Sequence, residues 1–246
     1  MTSTDSFVWP EGYRAAISLT FDDGLPTQRK VAAPRLEETG FRGTFYLNPR
    51  GERWQDRLAP WQPVQAAGHE IGNHTMAHPC SLNTTPVLQS WTVQQIRDDV
   101  QEAQRRLDLS FPDQGERSFA YPCYESDVGR GRTRQSYVPV IAEHFIAGRA
   151  RGTSMQGNHP VYADLCHLSS WSAERMSAWE MIGLVDQCLT EGWWGILTFH
   201  GVNQGHLPIS EHDLCGLLDY LERRQAHIWT APVVQVARAI LDQTGG

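Results

Sequence analysis

The sequence predicts an α/β chain folded as a (β/α) barrel, complete or partly open. Three observations carry that expectation. Short β-like runs alternate with helical stretches along all 246 residues, the pattern of parallel strands joined by helices. About seven βα units fit into that length, as a barrel needs. The polar clusters "FDDG", "HTMAHP", "YPC" and "FHG" each follow a β-like run directly. In barrels of this kind the C-terminal ends of the strands gather the site.

The first strand is "AAISLTF" (15–21), and the helix "KVAAPRLEETG" after it stops at Gly40, a residue that tolerates the left-handed C-cap. "GTFYLN" (43–48) is the next strand. "PWQPVQAAG" is a short helix ended by Gly68, and "HEIGNH" (69–74) resumes an extended run. In "TVQQIRDDVQEAQRRLDL", Val93, Ile96, Val100, Ala103 and Leu107 recur at steps of three and four and make one apolar stripe. Thr92 and Gln95 have capping-box spacing at its start. "RSFAYP" reads as a strand, while 124–170 is loop-rich and yields no clear element. A helix is expected over "AERMSAWEMIGLVDQCLTEG" (173–192), then the buried strand "WWGILTFHG". Ser210 and Asp213 cap the helix "EHDLCGLLDYLERRQ", and "HIWTAP" and "VVQVARAILDQ" close the chain as strand and helix.

Composition is that of a globular protein, 40% hydrophobic and 20% charged, and the length suits one domain over 1–246. A net charge of -7 argues against a general nucleic-acid or anionic-membrane binder. The basic cluster "RGRTR" (130–134) reads first as a solvated loop, with contact to an anionic group as the alternative. No N-terminal segment has the pattern of a signal peptide or a membrane helix. Cysteines at 80, 123, 166, 188 and 215 show no CxxC spacing and read as free thiols in a reducing compartment. The cytoplasm is then the expected location, unless a leader has been removed.

His74 and His78 in "GHEIGNHTMAHP" are four apart, so on a helical turn both imidazoles would face one side. Two imidazoles and one carboxylate make a divalent-metal site with positions left open for water and substrate. Alone, the pair reads first as capping or core histidines hydrogen-bonded to backbone. Asp22 and Asp23 can supply the missing ligand, one binding the metal while its neighbour stays free as a base. A cation would offset the repulsion that otherwise raises one pKa of such a pair. "DDG" in isolation is an ordinary turn. His200 ends an apolar run, as a satisfied core residue or as a general acid beside the metal.

In this order, "TFDDG", "HTMAHP", "YPC" and "LTFHG" resemble the polysaccharide deacetylase family, carbohydrate esterase family 4, the NodB-homology domain, from about residue 14 to about 202. The resemblance implies a distorted, TIM-like (β/α)7 barrel that hydrolyses acetyl groups on sugars with a divalent metal, most often Zn2+, otherwise Co2+, Ni2+ or Mn2+. It implies Asp22 as general base, Asp23, His74 and His78 as metal ligands, and His200 as general acid. In "YPC", Tyr121 and Pro122 line the substrate side and Cys123 supplies an oxyanion N–H. Trp171 in "HLSSW" would wall the acetyl pocket and Leu197 would form its apolar floor.

Two departures stand out. The family's Arg before the third motif, which holds the catalytic Asp, is replaced here by Ala120, with Arg117 three residues upstream; a later residue, Arg149 in "IAGRARG", could orient Asp22 instead. The Asp that usually precedes the motif Trp has no counterpart at close spacing. The resemblance implies an acetylated carbohydrate as partner and no nucleic acid or membrane. Rival readings are an O-acetyl carbohydrate esterase, a cyclic-amide C–N hydrolase and a sugar-binding protein without catalysis.

Overall fold

The computed structural model describes residues 7–82, 87–152 and 156–245. The 124–170 stretch is thus described except for 153–155. The strands are β1 (Ala15–Phe21), β2 (Thr44–Leu47), β3 (Glu70–Asn73), β4 (Ser118–Ala120), the small hairpin β5 (Asp127–Val128) and β6 (Gln135–Ser136), β7 (Ala147–Arg149), β8 (Trp171–Ser172), β9 (Trp194–Phe199) and β10 (Ile228–Thr230). The helices are α1 (Ala33–Glu38), α2 (Trp54–Leu58), α3 (Gln62–Ala66), α4 (Val93–Ser110), α5 (Val138–His144), α6 (Ala178–Glu191), α7 (Glu211–Arg223) and α8 (Val233–Thr244).

The main sheet is parallel in the order β7-β4-β3-β2-β1-β9-β8, with β10 on the first half of β1. It curls back on itself. Leu168, just before β8, donates to Gly148 O at 2.7 Å and accepts from Ala150 N at 2.8 Å, so the ends of the sheet meet. The result is the distorted (β/α)7 barrel expected from the resemblance.

Strand alternation sorts the side chains into two layers. Ile17, Leu19 and Phe21 point outward, into a core with Leu36 of α1, Leu184 of α6 and Leu217 of α7. Phe21 stacks on its register partners Phe45 and Phe199 at 4.9 and 5.1 Å between centroids. Ser18, Thr20 and Asp22 point inward, toward Trp194, Thr198 and Arg149. Gly72 has no substitute, because a Cβ there would lie 2.3 Å from the ring of Tyr46, which fills the barrel interior.

The capping box of Thr92 and Gln95 opens α4 as the spacing predicts. Two expectations are corrected. α6 starts at Ala178, not near 173, because Ser177 and Glu180 form a capping box that fixes its first turn. The cysteines are not all free thiols: Cys80 and Cys123 form a disulfide with Cα atoms 5.8 Å apart, while Cys166, Cys188 and Cys215 are free. The loops after β3 and β4 bring together two cysteines that no CxxC spacing announces. The thiol-based ground for a cytoplasmic location falls with that pairing.

Candidate active site

Asp22 directly follows β1 on the inward face and is 3% exposed. Arg149, at the end of β7, crosses the barrel and places Nη2 2.6 Å from both carboxylate oxygens of Asp22. Its Nη1 donates to Thr198 Oγ1 at 3.1 Å, and its guanidinium lies between the rings of Tyr46 and Tyr124, at 5.2 and 5.3 Å from their centroids. Burial pushes the Asp22 carboxyl upward, but the charges of Arg149, His74 and His200 outweigh it and hold the pKa below 3.8. Gln28 Nε2 donates to the carbonyls of Asp22 and His200 and ties together the loops that carry them.

At Asp23 the backbone turns into the left-handed region, with φ +75°, and Gly24 follows at φ +63°. For a non-glycine residue that costs on the order of 1 kcal/mol, and such strain gathers at functional sites. The turn aims both carboxylates at one imidazole. His74 Nε2 lies 3.6 Å from Asp23 Oδ1 and 3.9 Å from Asp22 Oδ2. His78 Nε2 lies 3.5 Å from the same Asp23 oxygen, and His200 Nε2 is 3.9 Å from the other one. Burial, and next the neighbouring His74, bring the His78 pKa down to about 4; burial also lowers that of His200.

The two histidines are not on a helical turn. They sit in a loop with φ +61° at Thr75 and +53° at His78. Asn48 Nδ2 donates to the carbonyls of His74 and Thr75, and Asp99 of α4 accepts from Met76 N at 2.7 Å and Ala77 N at 3.0 Å. His74 Nδ1 sits 2.8 Å from Ala120 O; a proton there donates to the carbonyl and leaves the Nε2 lone pair facing the carboxylates.

This donor set fits a divalent cation. Two ligand atoms each about 2.1 Å from one tetrahedral ion are about 3.4 Å apart, near the separations seen here. Asp23, His200 and His206 form a second group within reach of one ion, but His206 is exposed, whereas His74 is buried and fixed by Ala120 O.

Residues 11–129 match the family model described as polysaccharide deacetylase. That match places residues 11–129, just under half of the chain, in the polysaccharide deacetylase family. A chitin deacetylase of Colletotrichum lindemuthianum is 36% identical over 97 residues, which cover 37% of this chain and 37% of that protein. A chain of Mycobacterium smegmatis assigned to the polysaccharide deacetylases superposes with TM-score 0.59 at 16% identity, covering 96% of this chain and 93% of the other. The peptidoglycan deacetylase PdaC of Bacillus subtilis gives TM-score 0.56 at 16% identity, with 93% of each chain covered. At such identities the two structures speak for the fold alone.

Among the residues assigned by resemblance to this deacetylase family, Asp22, Asp23, His74, His78 and His200 converge at one end of the barrel. Arg149 meets Asp22 from β7, where the family's usual Arg is missing. Leu197 and Trp171 do not join them. Both point outward into the layer beneath α6, at 0% and 6% exposed, because they share a strand face with Leu19 rather than with Thr198. Tyr121 is also turned away: its ring packs on Phe119 and Tyr137, and its hydroxyl donates to Cys166 O at 2.7 Å. Pro122 is buried beside it. Cys123, at φ +49°, sits at the rim as a disulfide partner. Tyr46, Tyr124, Gln28, Asn48, Asp99 and His206 are new. Only His206 carried a signal in sequence, a second histidine six residues after His200.

Proposed function

We propose that this chain is a metal-dependent deacetylase that removes acetyl groups from an N-acetylated sugar, oligosaccharide or polysaccharide. One observation carries it: two adjacent carboxylates share the Nε2 of His74, and one of them is gripped by a buried arginine while the other also faces the imidazoles of His78 and His200. The name of the chitin deacetylase that it matches in sequence supports the same chemistry. Since the site draws on strands from β1 to β9, and β10 and α8 complete the barrel around them, we treat residues 1–246 as one catalytic domain whose motifs lie in about 14–202.

Asp23, His74 and His78 would hold the cation. Bound there, it would polarise an acetyl carbonyl and make a water acidic near neutral pH. Asp22 then takes the proton of an attacking water. Its low pKa keeps it ionised, and Arg149 keeps both oxygens in place while it waits. Cys123, at the turn beside Tyr124, offers its backbone N–H to the developing oxyanion. His200, whose Nε2 faces the carboxylate pair, protonates the leaving nitrogen. An amide needs that proton more than an ester does, because an amine anion is a poor leaving group.

The test is acetate release from matched N-acetyl and O-acetyl sugars, with and without chelator. Release from N-acetyl substrates that chelation abolishes and Zn2+ restores supports the proposal, and activity indifferent to chelation sinks the metal assignment. Release from O-acetyl substrates only would make the chain a carbohydrate esterase. His200→Ala should cost about 10²–10⁴-fold on the amide and clearly less on the ester, and equal losses would remove His200 from the acid role.

A further inference from the structure

Two clefts flank the Asp23–His74–His78 cluster. One, about 500 Å³, begins at Asp23 and His78 and runs over the loops that follow β1 and β2. The other, about 690 Å³, begins at Cys123 and Tyr124 and runs over the loops that follow β4 and β7. In the sheet these strand pairs lie on opposite sides of β3, which delivers His74. A chain-like ligand lying over the cluster would occupy both.

Both clefts are cationic. Arg29, Arg50 and Arg57 line the first, and Arg130 and Arg151 line the second. None of the five has an ion-pair partner among the described residues. The acids of the same clefts are engaged elsewhere. Asp56 binds Arg53 at 2.6 Å, Asp127 binds Arg134 at 2.8 Å, Glu125 accepts from Ser81 N at 2.7 Å, and Asp23 belongs to the cluster. The chain carries 28 acidic against 21 basic residues, so an average stretch of its surface is acidic. Unpaired arginines on both flanks of one site depart from that average. The guanidinium fork also matches carboxylate, sulfate and phosphate oxygens in pairs, which a neutral sugar cannot offer. Arg29 stands in the π-helical turn Gln28–Ala32 just past the Asp pair, the kind of insertion that re-aims side chains at functional sites.

We propose that the substrate is an anionic acetylated glycan. Its acid groups, on sugars flanking the reacting one, pair with Arg29, Arg50 and Arg57 on one side and with Arg130 and Arg151 on the other. This rests on the deacetylase reading above and narrows its substrate class.

The test is equilibrium binding of a hyaluronan hexasaccharide, alternating N-acetylglucosamine and glucuronate, against neutral chitohexaose. At about 50 mM salt the hyaluronan fragment should bind at least about tenfold tighter, and most of that advantage should vanish at about 300 mM. Arg50→Glu/Arg57→Glu and Arg130→Glu/Arg151→Glu should each cut the preference several-fold, and the corresponding Gln pairs should cut it less. Chondroitin sulfate and a phosphorylated oligosaccharide, run in parallel, separate carboxylate from sulfate and phosphate as the recognised group. Equal binding of charged and neutral hexasaccharides, or a preference untouched by both charge reversals, overturns the proposal. Acetate release reads the deacetylase function separately. Turnover of chitohexaose with no charge preference sinks this inference alone, whereas charge-dependent binding with no acetate from any sugar sinks only the deacetylase reading.

Discussion

The barrel buries a carboxylate at each end, and the two are held in opposite ways. Glu70, at the start of β3, is saturated by neutral donors. Its Oε1 accepts from Ser118 N and Oγ, both at 2.7 Å, and its Oε2 from Thr44 Oγ1 at 2.8 Å and Val234 N at 3.0 Å. It stitches β2, β3, β4 and the first turn of α8 into one knot, where the helix N-terminus also favours its charge. Asp22, at the far end of β1, is held by one guanidinium. Around it Arg149 Nε, His200 Nδ1 and Gln28 Oε1 are buried without a hydrogen-bond partner. Each such atom costs free energy, but the other end carries one too, since His69 Nε2 beside Glu70 is also buried without a hydrogen-bond partner. Glu70 itself has nothing left to offer a ligand, whereas Asp22 is held by a charge and faces imidazoles. Burial of a carboxylate therefore does not mark a site; the kind of group that holds it does.

The largest effect should come from Asp22→Asn. Turnover should fall about 10²–10⁴-fold, while titration with Zn2+ still gives one site of near-native affinity, because the side chains of Asp23, His74 and His78 are intact. Some thermal stability goes with it, since the Arg149 charge remains buried without its partner. Loss of metal binding instead would mean that Asp22 and Asp23 have exchanged roles. Glu70→Gln, by contrast, should leave kcat within about threefold of wild type; a loss as deep as that of Asp22→Asn in a folded protein would erase the distinction between the two ends.

Stability should rank the other way round. Glu70→Ala strands buried donors on Thr44, Ser118 and Val234 and should cost about 3–5 kcal/mol by denaturant unfolding, with the surviving folded fraction still active. A cost under about 1 kcal/mol would show that water replaces the carboxylate easily, and the knot would not be one. Arg149→Lys comes next. A lysine keeps the charge but loses the fork and the stacking between Tyr46 and Tyr124, so kcat should fall about tenfold with KM little changed. A change confined to KM would make Arg149 a substrate-binding residue instead.

The same contrast explains what was legible in the sequence. Asp22, Asp23, His74, His78 and His200 stand out because they stand at a strand's end or, for His78, in the loop just after one, and because carboxylate and imidazole are the residue types a metal and an acid–base pair need. Their long-range partner could only be named as a candidate: Arg149 ends a three-residue strand inside a stretch with no periodicity. Leu197 and Trp171 came to the site by resemblance, and little in the sequence corrects that: "WGILTF" offers only Thr198 to set the phase of the alternation, and Trp171 stands in a two-residue strand. A shift of one residue exchanges inside for outside. The disulfide was hidden for a related reason, since its cysteines are 43 residues apart and meet only because β3 and β4 are neighbours. The start of α6 was legible, in Ser177 and Glu180, and the apolar residues upstream obscured it. Glu70 gave no sign of its four bonds, which come from three other elements.

The finest test of the comparison lies in the pH dependence of the quiet end. His69, one residue before β3, accepts from Gly43 N at 3.0 Å through Nδ1, so its proton sits on Nε2, 3.4 Å from Glu37 Oε1. Burial, and then the charge of Arg42, bring its pKa from 6.5 down to about 4. The folded chain thus refuses a proton that the unfolded chain accepts. Stability from this group is complete above pH 6.5, declines as pH falls, and levels off below about 4 after a loss on the order of 3 kcal/mol. Asp99 works against it. Burial raises its carboxyl from 3.8 to about 6, so the folded state gains protons first and stability rises as pH falls across that interval. The measurement is therefore a difference: unfolding free energy of wild type minus that of His69→Asn, which keeps an acceptor for Gly43 N but does not titrate. That difference should shrink steadily from pH 6.5 to 4 and stay flat above 7, while kcat is the same in both proteins at pH 7. A difference that grows with acid would mean Glu37 captures a protonated His69, and the lower end would then hold a responsive ion pair rather than a silent imidazole.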